Sequence, residues 1–311
     1  MELVSTPYDD VFRTLLNDCS SLIIPVINEM FCEHYTGEEE ILFSPNEHFV
    51  NRQGGEESER IADTNFRIAG KDGKKYHWEC QSSPDHSMLV RFFEYDAQIA
   101  LDEGSIKGNR LTVTLPYSAV LYLRSNASTP DSLRLEIVTP GGTVDYEIPI
   151  MKSQNYTIKE IFEKRLLFLI PFYIFAHENR FADYERDPIQ LEHLKAEYQS
   201  IIHILENLVT AKEINEYTKC TLMDMSKKVL DHIAEKYNTI QEGVKTIMGG
   251  KVLEYEAKTI RNEGLYEGRL EMLFDLVHKN LLSLSDAVSQ AELTEELFLK
   301  KMNVHLQKQE H

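Results

Sequence analysis

Apolar residues recur along this chain with two different periods, and the change from one to the other marks its central stretch. Tyr76 to Gln81 alternates apolar and polar positions, the period of a half-buried strand, and Arg60 to Ile68 reads as a strand before it. Gly70, Lys71, Asp72 and Gly73 lie between them, and Asp-Gly favours the positive φ of a tight turn, so the two runs are expected to form an antiparallel hairpin. Strand side chains alternate faces, which puts Tyr76, Trp78 and Cys80 on one side and His77, Glu79 and Gln81 on the other. The period then becomes helical. Met88, Phe92, Tyr95 and Ile99 make an apolar stripe, and Ser83 with Pro84 supplies an N-cap and a first-turn proline for the helix that carries it.

The flanks extend the pattern. Tyr8, Val11, Phe12, Leu15 and Leu16 fit one face of a first helix, and Leu22 to Phe31 fits a second with Pro25 in its opening turn. Gly37 to Glu59 is polar and acidic and is expected to be a solvated loop. Leu111 to Leu123 predicts a buried strand beside the hairpin, and runs on either side of Pro140, Gly141 and Gly142 predict a second hairpin. Thr157 and Glu160 form a capping box that opens an apolar helix expected to run to about His177. From Asp187 and Pro188 onward the pattern is wholly helical, broken at Gly249 and Gly250, and Leu281 to Met302 predicts two short helices whose faint helix-turn-helix character is read as packing. The expected fold class is α/β, with a sheet core over residues 1–180 and an all-helical region over 181–311.

The chemistry concentrates in the hairpin. With a turn near Asp72, Asp63 falls opposite the end of the second strand, where its carboxylate can converge with Glu79 while the Gln81 amide points into the same space. A competing reading makes Asp63 and Glu79 two solvated strand acids. Arg91 and Tyr95 sit one helical turn apart beside this space, and Arg91 suits either a phosphate oxygen or a salt bridge within helix–sheet packing. His77 shares the carboxylate face and is expected at the surface. The Cys80 thiol points to the opposite, core face. Asp9 and Asp10 open the first helix, where acids favour the positive end of the dipole.

Asp63, the run Glu79-Cys80-Gln81-Ser82, and Arg91 with Tyr95 resemble the PD-(D/E)XK nuclease superfamily, specifically its Rpn-type recombination-promoting nuclease and transposase branch. Asp9-Asp10-Val11-Phe12-Arg13 looks like that branch's N-terminal segment. Met248-Gly249-Gly250-Lys251 and Asn262-Glu263-Gly264 resemble its C-terminal half. The resemblance implies a restriction-endonuclease-like mixed sheet flanked by helices and hydrolysis of DNA phosphodiesters. It implies Mg²⁺, or Mn²⁺ in its place, held by Asp63, Glu79 and the backbone carbonyl of Cys80, with Gln81, Arg91 and Tyr95 completing the catalytic set. Magnesium prefers oxygen ligands and commonly takes one or two carboxylates plus water and phosphate, the minimum that Asp63 and Glu79 supply. Lysine is usual in the superfamily where Gln81 stands. Glutamine orients water but cannot take its proton.

Composition qualifies this reading. A net charge of −18 works against a protein that holds nucleic acid by bulk electrostatics. Residues 61–110, however, hold seven basic and eight acidic side chains, so the site region is nearly neutral and most of the negative charge lies elsewhere. DNA binding is therefore expected to be weak or strongly salt-sensitive. The balance also supports an alternative, a catalytically degenerate nuclease fold acting as a binding or self-association module, and it leaves room for a homo-oligomer formed through the helical C-terminal region. Four scattered cysteines without a C-x-x-C pair, and an N-terminus without a basic-then-apolar signal, fit a reduced cytoplasm. The longest apolar run, Leu166 to Ala176, is 11 residues and contains Pro171, too short to span a bilayer, so no membrane partner is expected.

Overall fold

The computed structural model describes residues 7–43, 47–51, 57–61, 64–69, 73–85, 87–249, 268–278, 282–291 and 293–309. Helices α1 (Pro7–Asp18) and α2 (Ile23–Phe31) lead into strands β1 (Ile41–Phe43), β2 (Glu47–Asn51), β3 (Glu57–Ile61), β4 (Thr64–Ile68) and β5 (Lys75–Gln81). Helix α3 (Met88–Asp102) follows, then a small hairpin of β6 (Ser105–Lys107) and β7 (Arg110–Thr112), then β8 (Tyr117–Tyr122), β9 (Ser132–Thr139) and β10 (Gly142–Lys152). The remainder is helical among the described residues: α4 (Ile158–Glu163), a 3-10 segment (Leu167–Arg180), α5 (Phe181–Arg186), α6 (Pro188–Thr210), α7 (Glu216–Ile233), α8 (Asn238–Ile247), α9 (268–278), α10 (Leu284–Ala291) and α11 (Glu295–Gln309). No helix among the described residues is long and apolar enough to cross a membrane.

Six strands form one mixed sheet in the order β1-β4-β5-β8-β10-β9. The pairs β1–β4, β4–β5 and β10–β9 are antiparallel, while β5–β8 and β8–β10 are parallel. The parallel step from β5 to β8 crosses over through α3, as a parallel connection must. Both faces of the central strands are therefore covered. Tyr76, Trp78 and Cys80 turn to one face, where Trp78 meets Phe12 of α1 at 4.9 Å and Phe168 of the 3-10 segment at 5.0 Å between ring centroids. That core continues without a break through α5 to α8 as far as Met248, and a separate apolar cluster joins α9, α10 and α11 around Phe274 and Phe298. On the other face Met88 and Phe92 of α3 pack against Val120, Tyr122, Leu135 and Ile148.

Several expected boundaries move, each for a local reason. The single strand Arg60 to Ile68 is two: β3 pairs with β2, β4 pairs with β1 and β5, and residues 62 and 63 lie outside the described residues. The expected solvated loop from Gly37 to Glu59 holds β1, β2 and the start of β3: β1 takes its ladder from the distant β4, and β2 and β3 complete each other's in a hairpin. Ser83 does not cap α3. The Asp85 carboxylate accepts from the backbone N–H of Ser87 at 3.0 Å and from its hydroxyl, a local turn that delays the helix to Met88. Leu111 to Leu123 divides at Pro116 into exposed β7 and buried β8. The second hairpin forms as expected, with Gly142 opposite Thr139.

The Thr157 capping box is present: its hydroxyl accepts from Glu160 N at 3.3 Å, and Glu160 accepts from Thr157 N at 2.9 Å. The helix it opens stops at Glu163, not near His177. Arg165 takes a left-handed φ of 58°, and the apolar run beyond it, carrying Pro171, winds as 3-10. Thr157→Ala is expected to lower stability by about 1 kcal/mol in urea titration, a typical cap loss.

Candidate functional site

The site face of the hairpin lies at the junction of β5 and α3. Glu79 is completely buried, which removes the solvated-acid reading for this residue. Both of its carboxylate oxygens are engaged. Oε1 lies 3.1 Å from Nε2 of His77, and Oε2 accepts from Nη2 of Arg91 at 2.9 Å and from Nε2 of Gln81 at 3.3 Å. Two residues of the same strand and one of the following helix thus meet on a single carboxylate. The alternation of β5 delivers His77, Glu79 and Gln81 to one face, and the crossover brings Arg91 over them. The salt bridge that the sequence left open for Arg91 is formed, and its acid is the site carboxylate itself.

Tyr95 is buried one turn after Arg91. Its ring stands edge-on to His77, with centroids 5.8 Å apart, and the Arg91 guanidinium lies 5.9 Å from its centroid. Cys80 is buried on the opposite face in the main core. Asp63 lies outside the described residues, as do Lys251 and Asn262 to Gly264. Asp9 and Asp10 open α1, and Asp10 pairs with Lys228 of α7 at 3.2 Å.

His77 overturns its expected place at the surface: it is fully buried between two carboxylates. Nδ1 is 2.7 Å from Oδ1 of Asp96 and Nε2 faces Glu79. Both ring nitrogens face carboxylates, an arrangement that suits a doubly protonated ring. Burial alone would lower the pKa of the ring, but the hydrogen bonds to Asp96 and Glu79 outweigh it and push the value up to about 9. Asp96, missed in the sequence, is equally buried and anchors the other end of this chain. It also accepts from the Ser118 hydroxyl at 2.7 Å and from Tyr146 OH at 3.2 Å. Burial first, and then Asp96, holds the Tyr146 phenol well above its ordinary range. One signal for Asp96 was available: it falls four residues after Phe92 and three before Ile99, on the apolar stripe itself.

A continuous polar chain therefore runs through the core from Tyr146 and Ser118 to Asp96, His77, Glu79 and Arg91. It alternates in charge, so each buried ion has an opposite neighbour. Donor chemistry on the described side suits a hard divalent cation, since the Glu79 carboxylate offers oxygen alone. Asn65, paired with His77 in the strand register, has a buried Oδ1 without a hydrogen-bond partner. The position such an ion would contest on Glu79 Oε2 is held by the Arg91 guanidinium, whose side chain is 26% exposed. Comparison with protein-family models, with curated proteins and with solved structures finds no match to this chain.

Proposed function

We propose that the chain is a metal-dependent DNA endonuclease of the Rpn-type branch of the PD-(D/E)XK superfamily, with a restriction-endonuclease-like core and a cytoplasmic location. The observation that carries the reading is the convergence of Gln81 and Arg91 on the buried Glu79 carboxylate, beside Tyr95. Those residues are four of the ones the resemblance nominates, and they come from two different elements. Asp63, Glu79 and the Cys80 carbonyl would hold Mg²⁺ or Mn²⁺, which would polarise the scissile phosphate and lower the pKa of a bound water.

The side chains have separate tasks in this reading. Arg91 binds non-bridging phosphate oxygens with its planar fork. Gln81 orients the attacking water, and Tyr95 supplies a hydroxyl nearby. None of Gln81, Arg91 or the doubly protonated His77 takes a proton, so the proton of the water leaves to phosphate or solvent. Lacking a general base worth about 10² to 10⁴ in rate, the enzyme turns over slowly. His77, fixed by Asp96, holds Glu79 in place.

The test is nicking of supercoiled plasmid at low salt in Mg²⁺ or Mn²⁺. Wild type is expected to nick. Asp63→Ala and Glu79→Ala are each expected to fall by at least about 10²-fold, more than supporting residues of a metal site typically cost. EDTA is expected to stop the reaction, and the metal is expected to raise the melting temperature of wild type alone. A second reading, a non-catalytic binding module on the same fold, is favoured by the full engagement of both Glu79 oxygens and by the charge of −18. It becomes the better account if well-folded wild type neither cuts DNA nor gains stability from metal.

A further inference from the structure

Strand β9 ends the six-stranded sheet, and among the described strands it pairs with β10 alone. The register shows which backbone groups it leaves at the edge. Pro149, which has no N–H, stands opposite Ser132, while Ile150 N donates to the Asp131 carbonyl at 2.9 Å. Antiparallel pairs alternate between bonded and non-bonded, so the N–H and C=O of Ser132, Arg134, Glu136 and Val138 point away from β10. The side chains of Arg134, Glu136 and Val138 are exposed, whereas Leu133, Leu135 and Ile137 lie on the opposite side, under α3. The strand is eight residues long and carries two charges of opposite sign, two positions apart.

We propose that β9 is a dimerisation edge, on which two copies of this chain pair antiparallel from Ser132 to Val138 about a two-fold axis at Leu135. The axis follows from sequence and register together. Centred on Leu135, the outward backbone groups of Arg134 meet those of Glu136 in the second copy, so each arginine faces one glutamate and two such pairs form across the axis. Leu133 then lies beside Ile137 and Leu135 beside its own copy, continuing the apolar face that α3 covers. Centring on Arg134 or on Glu136 would set like charges opposite each other. A slip of one residue would oppose outward backbone groups to inward ones and turn every side chain to the wrong face. Centring on Leu133 or Ile137 shortens the overlap. Edge strands are commonly guarded by charge of one sign, which repels a second copy. Here the two signs are placed to attract one. Arg134 is already steadied by Asp145, whose carboxylate accepts from its Nε at 2.9 Å. The main-chain ladder supplies the attachment and the charges supply the register, as in other strand-addition interfaces. The result joins two six-stranded sheets into one and is independent of the chemistry at Glu79.

The test is sedimentation equilibrium of the full chain from micromolar to near-millimolar concentration. Wild type is expected to pass from 36.0 kDa to twice that mass. Arg134→Glu and Glu136→Arg are each expected to stay monomeric with unchanged circular dichroism. Mixed in equal amounts they are expected to recover the dimer, because each acid of one variant then faces an arginine of the other. Glu136→Pro removes an outward N–H without touching the β10 ladder, and is expected to be monomeric even where a charge variant folds poorly. Wild type at 36.0 kDa over the whole range overturns the proposal. So does a dimer that persists in all three variants, which would place association on another surface such as the C-terminal helices.

Discussion

Asp96→Ala is expected to lower the free energy of unfolding by about 3–5 kcal/mol, the cost of removing one partner from a buried ionic pair. Asp96 is fully buried and accepts from His77, Ser118 and Tyr146. Its loss leaves an imidazolium held by one carboxylate where there were two, and it orphans two hydroxyls. The same pairing makes stability depend on pH. The folded pKa of His77 is raised to about 9, above its ordinary 6.5, so its contribution is fully present below pH 6.5 and is lost as the pH rises through about 9. The full swing is on the order of 3 kcal/mol. Urea titrations in EDTA at stepped pH read both effects. Wild type is expected to weaken steadily over that alkaline range, His77→Gln to lack the slope, and Asp96→Ala to show a shallower one. A wild-type curve flat from pH 6.5 to 9 would mean that the ring is neutral and that the chain through the core carries no alternating charge.

How much of this was legible in the sequence depended on the range of the interaction. The two faces of β5 could be read because a strand has a fixed period of two, and the stripe Met88, Phe92, Tyr95 and Ile99 because a helix has one of 3.6. Those two regularities sufficed to bring Glu79, Gln81 and Arg91 toward one another. They did not reveal burial. Whether His77 faces water is decided by α3 crossing over that face, and Asp96, its partner, lies 19 residues away. A histidine between two carboxylates looks like any polar strand residue until the partners are in place. The strands inside Gly37 to Glu59 were hidden for a related reason, since β1 gains its ladder from β4 across a long sequence separation. Local competition hid the rest. At Ser83 the Asp85 side chain offers the backbone a turn in place of a helical start, and at Arg165 a left-handed residue ends a helix whose apolar pattern runs on.

If the chain is the proposed nuclease, Arg91→Ala is expected to separate metal binding from turnover. The guanidinium donates to Glu79 Oε2 at 2.9 Å, so a divalent cation bound there would compete with it for that oxygen. Charge-assisted hydrogen bonds contribute about 1.5–3 kcal/mol, and removing the competitor is expected to tighten Mn²⁺ binding about tenfold or more in calorimetry. Glu79 keeps His77 and Gln81 as donors in the variant, so the fold is expected to survive. Nicking moves the other way. If Arg91 turns to the phosphate when metal takes its place, losing it removes the fork that meets the charge developing in the transition state, and the rate is expected to fall by about 10² to 10³. Arg91→Lys retains the charge without the planar fork and is expected to fall between wild type and alanine in both assays. Tighter metal with slower nicking can arise only if one side chain serves the carboxylate before metal binds and the substrate afterwards. Unchanged nicking in Arg91→Ala would confine the arginine to its bond with Glu79, and weaker Mn²⁺ binding would show that it orders the carboxylate as a ligand and does not compete with the ion.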